Sequence, residues 1–307
     1  MVCLRSLALC AIVVPVLAVP SIPGFTLTWA EDFDGVPGSL PDNDDWIIDT
    51  GTSYPGGPPN WGTGETQTYT ADPRNVQLTG DGSLKITPLK KPNGTWTSSR
   101  IETRRTDFQA EKGGKMRIQG RIKLPNVGGA KALGYWAAFW TLGEDLRGNY
   151  WNWPSIGELD IMENVNGVDR TYAAMHCGTN PGGACNEPNG LGNSRSCPGS
   201  SCNGNWHVYT IEVDRTRRPE IIRWYVDGQL YHNVTQTTVD GQPYHNATQT
   251  TSRNSTWAQA VHGGHFLLLN IAMGGGFPNG VSGMSTPSNT TVSGQSMFVD
   301  YVAVYNS

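Results

Sequence analysis

The sequence predicts an all-β fold, a jelly-roll sandwich of two antiparallel sheets. Three observations point to it. Short runs of alternating apolar and polar residues recur along the chain. Clusters of Gly, Pro and Asn separate them, with 38 Gly and 20 Pro among 307 residues. No long stretch repeats its apolar residues at the helical period. Half-buried strands alternate with period two and are punctuated by turn residues, and many short strands of this kind close into a sandwich.

The elements follow in order. Arg5 and the apolar run Leu7 to Ala18, ending "VLA", read as a secretory leader cut after Ala18. The run is too short to span a bilayer. Residues 19–307 then form one catalytic-sized unit, since no linker divides them. Strands are expected in "GSLKITPL", "GKMRIQGRIKL", "TYAAMH", "WHVYTIEVD", "IIRWYVDG", "HFLLLNIAM" and "MFVDYVAVY". A tandem repeat lies near the end: "DGQLYHNVTQTTV" (227–239) is followed by "DGQPYHNATQTTS" (240–252), with ten of thirteen positions identical. The first copy opens a hairpin at Asp227-Gly228. The second carries Pro243, which cannot donate to a ladder, so it is expected as loop or edge.

Composition narrows the function. Net charge is −4 and no basic cluster occurs, so nucleic acid, which needs a concentrated positive face, is excluded as a partner. No membrane partner is expected either, and the protein should act as a monomer. Cys3 and Cys10 leave with the leader. Cys177, Cys185, Cys197 and Cys202 remain, an even number in a chain read as extracellular. Their spacings fit no zinc pattern. Three pairings are open, and short loops favour 177–185 with 197–202. Sequons at Asn93, Asn233, Asn246, Asn254 and Asn289 should lie on the surface.

The chemistry concentrates in "IGELDIMENV", Ile156 to Val165. On a helix Glu158 and Asp160 would stand about 200° apart. On a strand they share a face, with Leu159 and Ile161 on the other. Glu163 joins that face only if one residue near Ile161-Met162 is bulged out. Three carboxylates on one face repel each other unless used. Two carboxyls about 5–5.5 Å apart are the equipment of a retaining glycosidase. A calcium site or a solvated acidic strand are the alternatives, but calcium loops are polar throughout and this segment alternates with aliphatics.

"WPSIGELDIMENVNG" resembles the catalytic signature of glycoside hydrolase family 16, in its bulged laminarinase form. "WAEDFDG", "ETQTYT", "SSRIET", "GGKMRIQGRIKLP", "AAFWTLGED", "MHCG", "IIRWYVDGQLYH", "LLLNIAMGGGFP" and "VDYVAVY" continue the resemblance in the same order. It implies a sugar cleft on a concave sheet and a secreted endo-β-1,3(4)-glucanase acting on laminarin-like or mixed-linkage β-glucan. It implies Glu158 as nucleophile, Asp160 as assisting carboxylate and Glu163 as acid/base, with no cofactor required. His176 and Arg100 resemble sugar-contacting residues of the family, with Glu65 and Asn60 as weaker matches. Asp300 and Asp32 match positions near the structural calcium of some members. The chain departs from the family at Ala137, where Pro is common, and at Phe277, where Trp is common; Phe277 would still stack on a sugar, with less area. A glucan-binding lectin and a cell-wall transglycosylase share the architecture.

Pyranose rings lie against aromatics, and the chain has eleven Trp. "GYWAAFWTLG" puts Trp136, Ala138 and Trp140 on one face. Trp140 and Trp153 are the expected platforms. Trp136 fits cleft or core equally, and Trp151 is undecided.

Overall fold

The computed structural model describes residues 19–241 and 255–307. The leader with Cys3 and Cys10, the sequons Asn246 and Asn254, and most of the second repeat copy lie outside the described residues. Two large antiparallel sheets face each other. One runs in the order Asn193–Arg195, Thr171–His176, Glu158–Val165, Tyr135–Gly143, His265–Met273, Arg100–Thr103, Trp46–Asp49. The other runs Gln229–Thr235, Ile221–Val226, Trp206–Asp214, Lys115–Lys123, Met297–Asn306, Leu84–Ile86, Val76–Leu78. Thr26–Glu31 pairs on Met297–Asn306. Each of the seven alternating runs holds a strand, and the only α-helices among the described residues are three short ones.

Alternation explains why these segments pair. Ala137 and Phe139, Leu159 and Ile161, and Leu267, Leu269 and Ile271 point from the first sheet into the sandwich. Ile118, Ile122, Ile211, Val213, Ile222 and Trp224 meet them from the second, and all are buried. Each such aliphatic side chain contributes about 1.5–3 kcal/mol when removed from water. Gly120 is required here: a Cβ at this position would come 2.8 Å from the Phe139 ring. The central strand His265–Met273 is buried along its length. Its other face packs Phe266 and Leu268 against Leu142, Leu146 and Ile156, with Tyr54, Trp140, Tyr150 and Trp153 alongside. That second cluster seats the segment 144–157 at one end of a groove over the first sheet.

The Asp227-Gly228 hairpin forms as expected, joining Ile221–Val226 to Gln229–Thr235. The two disulfides are Cys177–Cys185 and Cys197–Cys202. No helix among the described residues is long and apolar enough to cross a membrane.

Candidate active site

The strand Glu158–Val165 carries the site. Its register against Tyr135–Gly143 runs Ala138 to Glu163 and Phe139 to Met162, then jumps to Trp140 opposite Asp160. Ile161 is therefore the extra residue of a bulge, and the ladder to Thr171–His176 is interrupted at the same place. A bulge leaves backbone groups without a ladder partner. The Asp160 carbonyl is satisfied from the opposite sheet, where the buried Trp224 indole N–H donates to it at 2.8 Å. Leu159, Ile161 and Met162 are buried in the core, while Glu158, Asp160 and Glu163 line a cleft of about 770 Å³. Gly157, directly before Glu158, is left-handed (φ +79°), and a Cβ there would come 2.3 Å from the Ala260 carbonyl. The strand could not enter the sheet at this angle with a side chain at 157.

Each outer carboxylate has one oxygen held by an indole. Trp153 Nε1–H donates to Glu158 Oε2 at 2.9 Å, and Trp136 Nε1–H donates to Glu163 Oε1 at 2.7 Å. Trp136 thus belongs to the cleft rather than the core. His176 faces Glu158 across the ladder. Its Nε2 lies 3.2 Å from Asp160 Oδ2 and 4.0 Å from Glu158 Oε1. Burial, then the charge of Asp160, pushes Glu163 up to about 8. The same two causes raise Glu158 well above the ordinary carboxylate range, opposed by His176 and the Trp153 N–H. Two carboxyls both raised in this way, Glu158 and Glu163, titrate together rather than independently. For His176, burial acts downward. Hydrogen bonds to Asp160 and Glu187 and the charge of Glu158 outweigh it and hold the imidazole well above its ordinary value.

Of the other expected residues, Trp140, Trp153, His176, Phe277, Arg100 and Glu65 also line the cleft, whereas Asn60 and Trp151 are not among its lining residues. Trp140 donates Nε1–H to Asn270 Oδ1 at 2.8 Å. Phe277, from the short helix Gly276–Ser282, meets Trp136 and Tyr172 edge-on. Arg100 is only 4% exposed. It pairs with Asp49 at 3.0 Å, donates to Tyr54 Oη at 2.7 Å, and lies over the rings of Tyr54, Trp61 and Trp140. It forms the floor of one end of the cleft. Glu65 is buried there too and accepts from Thr63, Gln67 and Tyr69. Asn60 and Trp61 both have left-handed backbone, a sparsely populated conformation that recurs at binding sites. Trp151 is 65% exposed, and its Nε1–H donates to the Gly56 carbonyl, joining two loops at the rim.

One contact at the site could not be anticipated: the segment after His176 folds back towards it. The Cys177–Cys185 bridge turns it back, and Glu187 reaches His176 Nδ1 at 2.7 Å. Nothing local in "NEPNG" signals this contact. Of the two residues matched to a structural calcium, Asp300 Oδ2 pairs with Arg121 at 2.7 Å, and Asp32 Oδ1 accepts the Asp34 N–H. Among the described residues, the one group of three acidic or histidine side chains with the spacing of metal ligands is Glu158, Asp160 and His176, where the bulged strand, the Trp153 indole and Glu187 account for the arrangement.

Comparison with known proteins bears on the same residues. Residues 124–207 match the model of the XgeA-like, catalytic GH16 domain. The chain is 49% identical to the solved endo-1,3-beta-glucanase of Streptomyces sioyaensis, covering 94% of this chain and 99% of that one at a TM-score of 0.88. It is 30% identical to the beta-glucanase of Rhodothermus marinus over 92% of this chain and 86% of that protein. The glucan endo-1,3-beta-glucosidase A1 of Niallia circulans is 29% identical over 304 residues, and there the chain spans 38% of the relative's length. Sequence identity carried over nearly the full length of two such relatives, on one fold and through the bulged strand, makes this chain a member of glycoside hydrolase family 16.

Proposed function

We propose that the chain is a secreted, retaining endo-β-1,3(4)-glucanase, with residues 19–307 as its catalytic domain and β-glucan as its partner. The observation that supports this best is the bulge at Ile161, which turns Glu158, Asp160 and Glu163 to one face of an aromatic cleft. In the first step a Glu158 oxygen attacks the anomeric carbon. The glycosidic C–O bond breaks, and Glu163 gives its proton to the departing oxygen. In the second, water attacks the glycosyl ester, Glu163 takes its proton, and Glu158 is released.

The roles are those the family resemblance implies. Burial raises both outer carboxyls. The His176 ring lies within 4.0 Å of Glu158 and opposes the shift there, while Glu163 has no cation within ion-pair distance among the described residues. Asp160, between them, can hydrogen-bond the nucleophile and help move the proton. Trp140, Trp153 and Phe277 would carry sugar faces, and Arg100 and His176 would border the subsites. Carboxyls, indoles and water suffice for these steps, so no cofactor is required. Asn93, Asn233 and Asn289 are exposed and suited to carry glycans.

The test is product analysis on laminarin and on mixed-linkage β-glucan, with the first product followed by proton NMR. The β-anomer should appear first, with internal cleavage shortening the polymer. An initial α-signal would overturn the mechanism, and absence of cleavage on both polymers would overturn the substrate class.

A further inference from the structure

Both ring nitrogens of His176 face carboxylates. Nε2 looks onto Asp160 and Glu158, and Nδ1 meets Glu187 at 2.7 Å. A neutral imidazole offers one N–H and one lone pair, so one of these contacts would set a lone pair against an anion. With Asp160 and Glu187 both ionised, only the doubly protonated ring satisfies both sides. Glu187 has no exposed side-chain surface. Its second oxygen is also used, accepting the Cys177 N–H at 2.9 Å. It is therefore a fully buried, fully bonded carboxylate, held behind the ring by a built structure. The Cys177–Cys185 bridge closes the loop, and Gly182 and Glu187 exchange backbone hydrogen bonds of 2.8 and 2.6 Å. Gly190, left-handed at φ +70°, lets the returning chain lie on the imidazole, where a Cβ would come 2.8 Å from the ring. From the other elements the ring meets Trp153, at 5.7 Å between centroids. Glu163 is the remaining titratable group that senses it.

We propose that Glu187 is a positioning residue of the carboxylate centre: it holds His176 as an imidazolium whose second N–H is turned on Asp160. The positive ring offsets one of the three charges crowded on the bulged strand. It does so on the Glu158 side, which separates the two outer carboxyls electrostatically. In this way Glu187 acts through His176 and touches neither sugar nor reacting bond. The inference rests on the glucanase reading for its consequence in rate, but the state of the ring can be measured without any substrate.

The experiment is NMR titration of the imidazole nitrogens in the full chain labelled at histidine, with Glu187→Gln compared to wild type. In wild type His176 should show two protonated nitrogens through neutral pH. In Glu187→Gln, which keeps the shape but removes the charge, its titration should move down by about one pH unit or more. On β-glucan, kcat should fall roughly tenfold to a hundredfold, the size usual when an outer partner of a functional ligand is lost, with KM nearly unchanged. A wild-type ring that is singly protonated at pH 7 overturns the proposal even if the variant does not fold. So does a variant whose loss of rate comes with an unmoved His176 titration, since Glu187 would then only pack the loop. Should wild type leave β-glucan uncut while the ring titrates as described, the glucanase reading fails and the His176–Glu187 assignment stands.

Discussion

At the scale of single residues, the sequence was most informative about Glu158, Asp160 and Glu163, because strand periodicity leaves few ways for three acids at this spacing to share a face. The partners of those acids were less legible. Trp136 fitted core or cleft equally, since alternation fixes a face but not what lies over it. Glu187 could not be read at all, because its contact depends on a disulfide loop returning upon its own start. Glu163 allows a two-part prediction. As general acid it must be protonated, so kcat/KM should fall as pH rises through about 8. Glu163→Ala should lose roughly 10²–10⁴ in rate on glucan and much less on aryl glycosides that need no proton, with azide restoring turnover as the β-glycosyl azide. Equal losses on both substrates would refute the role. The same raised value has a cost in stability. Its folded value lies above the ordinary carboxylate range, so the contribution is present at low pH and is lost as pH rises towards about 8. Glu163→Gln should therefore melt close to wild type near pH 4 and several degrees above it at pH 8. A melting difference that does not grow with pH would count against the buried, protonated carboxyl.

At the scale of elements, the bulge is the decisive feature. Its position near Ile161-Met162 was expected from the parity of Glu158 and Glu163. Its support was not, because Trp224 lies 64 residues away on the other sheet and donates to the Asp160 carbonyl. Trp224→Phe keeps an aromatic in the core and removes the donor. Leaving that carbonyl unsatisfied should cost about 1–3 kcal/mol, beyond the smaller ring's loss of packing. The bulge should loosen with it, and kcat/KM should fall roughly tenfold or more, as small displacements of reacting groups do. Melting curves and glucan kinetics read the two effects separately. A variant that is destabilised yet keeps wild-type kcat/KM would show that the bulge holds its shape without the indole. Arg100 shows the limit of local reading in another way: "SSRIET" identifies the residue, but Asp49 and Trp140 reach it from other strands, and Tyr54 and Trp61 from a loop, all distant in sequence.

At the scale of the whole molecule, the two-sheet architecture was legible because every long run alternates, whereas the short strands Trp46–Asp49 and Gln67–Tyr69 are too brief to carry a pattern. The repeat is the other large-scale feature. Its first copy pairs as a hairpin, then enters the short helix Gln236–Asp240, which lies beside Thr256–Val261. Asp240 Oδ1 accepts the Trp257 N–H at 3.0 Å, and Glu220 accepts from Trp257 and His262 below it. The ends of the segment 242–254 are therefore already held together. Loop closure entropy changes only slowly with length, so excising 242–252 should leave the rate within a few-fold and the melting temperature nearly unchanged. A raised KM confined to long glucans would instead assign this segment a distal sugar contact, and a variant that does not fold would mean that it contributes to the sheet.

The Cys177–Cys185 loop carries a practical consequence for making this protein. Glu187 is delivered to His176 by that covalent closure, while the alternating strands need no bridge to find their partners. A chain produced in a reducing host can therefore accumulate as soluble sandwich while its carboxylate centre is incorrectly set. Protein mass and the number of competent centres then become separate quantities. Preparations should be compared by titrating active centres with a reagent that traps the glycosyl ester, not by absorbance or gel yield.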